Sequence, residues 1–122
     1  MLGAETLGAN SVAVKNKNVL MVVGGDFNLP NSVYQNCFIT TNGGKTWSVP
    51  ATPPHGYRSC VEYLGKKSWI SSGINGVDYS ANDGKKWYWI SEEGFNVCRV
   101  AKNGKAVFLA GAKGKIGKLI ID

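Results

Sequence analysis

Histidine is nearly absent from this chain. His55 is the only one in 122 residues, and arginine occurs only at Arg58 and Arg99. Cysteine is sparse too, at Cys37, Cys60 and Cys98. One histidine with widely spaced thiols makes no zinc-ligand set, and an odd number of cysteines makes no disulfide framework. The three thiols read as buried, reduced side chains, and no metal or cofactor is expected. The longest apolar run is Val19–Val23, far short of the roughly 20 residues of a membrane-spanning helix. Residues 1–10 lack the charged and apolar regions of a signal peptide. That leaves the compartment open, since a longer bacterial parent with its own signal would be exported. No stretch keeps a helical period, and glycines break every window long enough for a helix. There is no Gly-x-Gly-x-x-Gly and no βαβ unit, so nicotinamide or flavin chemistry has no fingerprint here.

Glycine is plentiful at 16 residues, beside 43% hydrophobic and 11% aromatic residues. That balance suits a globular chain of many short strands and tight turns. The net charge of +6 raises nucleic acid as a partner. The lysines fall in scattered pairs with no basic run, which argues against it.

Two segments repeat: Thr40-Thr41-Asn42-Gly43-Gly44-Lys45-Thr46-Trp47 and Ser80-Ala81-Asn82-Asp83-Gly84-Lys85-Lys86-Trp87, with the tryptophans 40 residues apart. Three apolar-alternating runs precede each: Asn10–Val14, Val19–Val23 and Asn36–Thr40, then Arg58–Tyr63, Ser68–Ser72 and Gly76–Ser80. Short fourth runs follow at Ser48–Val49 and Tyr88–Ile90. A third unit offers Phe95–Val100, Val107–Ala110 and Lys115–Ile120. Four short strands per unit of about 40 residues is the propeller-blade pattern. The expectation is an all-β chain of about three four-stranded antiparallel blades, at about 10–50, 57–91 and, incomplete, 95–121.

The two boxes resemble the Asp-box (BNR) repeat, in which Ser/Thr, Asp, Gly and Trp recur at fixed offsets. Asn42 and Asn82 stand where Asp is usual. The order of Val23-Gly24-Gly25-Asp26-Phe27, His55-Gly56-Tyr57-Arg58-Ser59, Gly76-Val77-Asp78-Tyr79-Ser80 and Leu109-Ala110-Gly111-Ala112 resembles the C-terminal blades of bacterial photosystem II stability/assembly factor-like proteins, which share the sialidase-like repeat. The resemblance implies that Thr40, Asn42, Gly44, Trp47, Ser80, Asn82, Gly84 and Trp87 shape the hairpin between a blade's third and fourth strands. It also implies a scaffold for a protein partner. Relatives labelled oxidoreductases or glycosyl hydrolases supply the alternatives, a carbohydrate-binding or sialidase-like segment among them. A sialidase needs an arginine cluster, and two arginines fall short of it. No catalytic residues are assigned.

Blade topology puts the loops between second and third strands, and the connections between blades, on one face. That face collects Asp26, Phe27, His55, Tyr57, Arg58, Asn75 and Asp78 as candidate binding residues. Loops on a rigid scaffold are where recognition usually sits. The competing reading has Arg58 paired with Asp78 or Asp26 to tie two blades together. The opposite face collects lysines, Lys15, Lys45, Lys66 and Lys85 among them. Three blades do not close a ring of the usual four to eight. The chain is therefore expected either to belong to a longer propeller or to complete one as a homo-oligomer, with Leu2–Leu7 as a candidate for the missing strand.

Overall fold

The computed structural model describes residues 7–121. The strands are β1 (Leu7–Val14), β2 (Leu20–Asp26), β3 (Cys37–Thr40), β4 (Cys60–Gly65), β5 (Ser68–Gly73), β6 (Gly76–Ser80), β7 (Tyr88–Ser91), β8 (Val97–Val100), β9 (Ala106–Ala110) and β10 (Ile116–Ile120). They form three antiparallel sheets in the orders β1-β2-β3, β4-β5-β6-β7 and β8-β9-β10. The sheets stand side by side like propeller blades, with β4 against β1 on one side and β8 on the other. The only helical element among the described residues is a 3-10 turn, Ala112–Gly114.

Alternation along the strands builds two layers between the sheets. Met21, Val23 and Cys37 of the first sheet meet Val61 and Trp69 of the second, with Trp87. Ile70 and Val77 on the second sheet's other side meet Cys98, Val107 and Leu109 of the third. A sheet buried on both faces holds apolar residues at successive positions, as Trp69-Ile70 does. The inter-sheet joints repeat as well: Arg58 N–H donates to Gly24 C=O at 2.9 Å, and Phe95 N–H donates to Gly73 C=O at 2.9 Å.

Two expectations change, and a third falls largely outside the described residues. The fourth run of the first unit, Ser48–Val49, is a single bridge between Ile39 and Ser48 rather than a strand. That register would next pair Cys37 with Pro50. Proline has no N–H for the ladder, so pairing stops there. The run Lys115–Ile120 begins one residue later, after the 3-10 turn, because Lys113 takes a left-handed conformation at φ +61°. Of Leu2–Leu7, residues 2–6 lie outside the described residues. Leu7 opens β1 opposite Asp26, so it serves the first sheet and not the third.

Candidate functional site

The two repeated turns are hydrogen-bonded alike. Thr40 Oγ1 donates to Asn42 Oδ1 at 2.9 Å and accepts from Gly44 N–H at 2.9 Å; Asn42 Oδ1 accepts from Thr46 N–H at 3.0 Å. In the second turn Ser80 Oγ donates to Asn82 Oδ1 at 3.0 Å and accepts from Gly84 N–H at 2.9 Å, and Asn82 Oδ1 accepts from Lys86 N–H at 3.0 Å. One amide oxygen thus does what a carboxylate oxygen would do. The indoles of Trp47 and Trp87 donate to Gly44 and Gly84 C=O at 3.1 and 3.0 Å. Their surroundings differ: Trp87 is buried against the first sheet, whereas Trp47 is exposed.

On the loop face, Arg58 and Asp78 are both buried. Arg58 Nε donates to Asp78 Oδ2 at 2.9 Å, and Nη2 donates to the same oxygen. Burial lowers the Arg58 pKa, and the Asp78 charge opposes that shift. His55 N–H adds a third donor to Asp78 Oδ2 at 2.9 Å. Nη1 of Arg58 reaches Asn75 Oδ1 at 2.6 Å. Asn75 Nδ2 in turn donates to His55 C=O at 3.0 Å and Asn31 Oδ1 at 2.9 Å. Arg58, Asn75 and Asp78 therefore form an internal brace joining three loops, and the two charged members do not face solvent. Asp26 stays apart from them, its Oδ1 closing a local turn on Asn28 N–H at 3.0 Å.

The brace holds exposed groups in place. His55 stacks on the exposed Trp89 with ring centroids 4.0 Å apart and planes 12° from parallel. Phe27, Leu29, Tyr34 and Ile74 are exposed on the loops around it, and Tyr57 is half-buried.

Two positioning residues escape sequence reasoning. Asn36 is buried and donates to Pro54 and Gly56 C=O, both at 2.8 Å, which fixes the loop carrying His55. Gln35 precedes it at φ +50°, a conformation uncommon for a residue with a side chain. Its Oε1 is buried with no hydrogen-bond partner. Gln35 lines a groove of about 390 Å³ with Val33, Tyr34, Phe38, Val49 and Pro53. Ile39 bonds to Ser48 along this edge, so strand alternation turns the N–H and C=O of Cys37 to the groove as well. An asparagine or glutamine before a strand is an ordinary loop residue in sequence, and nothing local marks either one.

A thiol cluster lies between the second and third sheets. Arg99 Nη1 is 3.3 Å from Cys60 Sγ, and Cys60 Sγ is 3.3 Å from Cys98 C=O. No group of three metal-ligating side chains occurs among the described residues.

No family model and no curated protein matches the chain. Solved structures do, one of them YCF48 bound to a D1 peptide. The likeness has a TM-score of 0.64 at 20% identity and covers 98% of this chain. It places the chain in a β-propeller fold. The chain spans 39% of the length of that structure.

Proposed function

We propose that the chain is a non-catalytic β-propeller scaffold that binds an extended segment of a protein partner in the groove between residues 33–38 and 49–53. The observation that carries the reading is Gln35. A left-handed backbone is costly for a residue with a side chain. So is a buried acceptor without a donor. Both fall on one residue, in a groove beside exposed Val33, Tyr34 and Val49. An incoming backbone N–H would satisfy Gln35 Oε1, and the Cys37 edge would extend the ladder by strand addition. Phe27, His55 and Tyr57 on the loops, with Trp89 stacked on His55, would supply further side-chain contacts. Arg58, Asn75 and Asp78 act as the frame beneath them. The Thr40–Trp47 and Ser80–Trp87 turns are Asp-box-type hairpins with a structural role. The peptide-bound neighbour agrees with this choice of ligand.

The test is binding to an array of 15-residue peptides that includes the D1 peptide, followed by fluorescence anisotropy on any hit. Tyr34→Ala and Val49→Asp are expected to weaken a hit tenfold or more, while Lys105→Ala on the distant hairpin leaves it unchanged. No peptide binding, or binding indifferent to both groove variants, defeats the reading. Glycan binding lost on Tyr34→Ala would favour the carbohydrate alternative.

A further inference from the structure

The strand registers align the three sheets position by position. Met21 opposite Ile39, Ile70 opposite Tyr79 and Phe108 opposite Lys118 occupy one row. Val23 opposite Cys37, Ser72 opposite Val77 and Ala110 opposite Ile116 occupy the next. These rows face the following sheet. Met21, Ile70, Cys37 and Val77 are accordingly buried, yet Phe108 is 47% exposed and Ile116 77% exposed. The third sheet presents the same kind of face, and among the described residues nothing covers it.

The first sheet is its counterpart on the other side. Val12 opposite Val22, Val61 opposite Ser71 and Cys98 opposite Leu109 are equivalent positions facing the preceding sheet. Val61 and Cys98 are buried, whereas Val12 is 57% exposed. Trp87 is buried on the preceding sheet, whereas Trp47 is 44% exposed. Glycines record the same difference. A Cβ on Gly84 would lie 2.2 Å from Met21 Cε of the preceding sheet, whereas one on Gly44 would meet nothing nearer than Trp47 itself at 3.7 Å.

We propose that a second copy of this chain covers both faces. Trp47, Val12 and Phe38 of one copy pack on Phe108 and Ile116 of the other, repeating the contact that Trp87 makes with Met21, and the reciprocal contact closes a ring of six blades. The occupant follows from continuity with the two interfaces inside the chain. What covers Met21 and Cys37 is the front of a blade, and among the described residues the front of the first blade is the uncovered surface of that design. The pairing is front to back. Isolated apolar residues on a surface need no explanation, but these lie in rows whose equivalents are buried at both internal joints. Six blades lie within the usual range for closed propellers. The peptide groove adjoins this front face, with Phe38 lining both, but the rows of exposed residues stand without it.

The test is the mass of the full chain in solution by light scattering, with Trp47→Asp and Ile116→Asp as variants. Both side chains are exposed within one copy, so each variant is expected to fold, as circular dichroism will verify. The wild-type chain is expected at twice the chain mass at 100 µM, and each variant at the monomer mass. Mixing the two variants restores association, because the back of Trp47→Asp and the front of Ile116→Asp are both intact. A monomeric wild type overturns the proposal and leaves the faces to further blades. Dimers that survive both variants, a mixture that stays monomeric, or an unlimited polymer overturn it too.

Discussion

Arg58 and Asp78 are buried in each other's company, and removing either leaves a charge that water cannot reach. Arg58→Ala is expected to cost about 3–5 kcal/mol in urea unfolding. Arg58→Ala with Asp78→Ala is expected to cost less than the sum of the two single changes. Additive costs would mean that the pair contributes no coupling. The tryptophans separate by burial in the same way. Trp87→Ala is expected to cost about 3–5 kcal/mol, against under about 1 kcal/mol for Trp47→Ala in dilute, dissociated chain. Among the thiols, the Cys98 side chain is the foremost influence bringing Cys60 down to about 6. Burial opposes it, and the Arg99 guanidinium adds to it. Burial alone pushes Cys37 up to about 12, and Cys98 is raised chiefly by its contact with Cys60. A depressed thiol stabilises the fold above the ordinary thiol pKa and loses that contribution as the pH falls through about 6. Thiolate absorbance at 240 nm is expected to show one early step near pH 6, absent in Cys60→Ser and shifted upward in Arg99→Ala. A folded protein with no step below pH 8 would refute the assignment.

The connection from Pro50 to Ser59 is the element on which the loop face depends. Apart from a single bridge from Thr52 to Lys86 it has no regular structure, and Asn36 and Asn75 hold its later part through backbone carbonyls. Asn36→Ala removes the donor for two of these and is expected to cost about 2 kcal/mol. The Tyr57 N–H, bonded to Pro30 C=O at 2.9 Å, should then exchange with solvent markedly faster, while the β5 amides stay protected. Unchanged Tyr57 exchange would mean that the loop is held by other contacts. The strands themselves were legible in the sequence, because two-residue alternation between glycine turns has few other solutions. Ser48–Val49 misled for a local reason: the residues alternate suitably, but Pro50 falls where the ladder needs an N–H. The asparagine braces were not legible, since their partners are carbonyls of residues 18 to 45 positions away.

At the scale of the molecule, the unequal exposure of equivalent rows decides the behaviour. A chain with two complementary end faces gains stability by mass action as concentration rises. The thermal midpoint is therefore expected to climb between 1 and 100 µM, and to be flat for Trp47→Asp. The lysine hairpins contribute a cross-blade link, Lys15 Nζ to Asp83 Oδ2 at 2.8 Å; a partly exposed pair of this kind adds little and less in salt. The 40-residue period and the repeated Thr/Ser-x-Asn-x-Gly-x-x-Trp turn determined, without coordinates, that the chain is all-β and built in blades, because local hydrogen bonding and period-two burial are written in adjacent residues. Only the tertiary structure decided that Arg58 and Asp78 form an inward-facing brace, that Trp87 is core while Trp47 is surface, and that Gln35 holds an unsatisfied acceptor in a groove. Each of those depends on what stands opposite the residue across a sheet interface, and identical local sequence carries no record of whether a neighbouring blade is there.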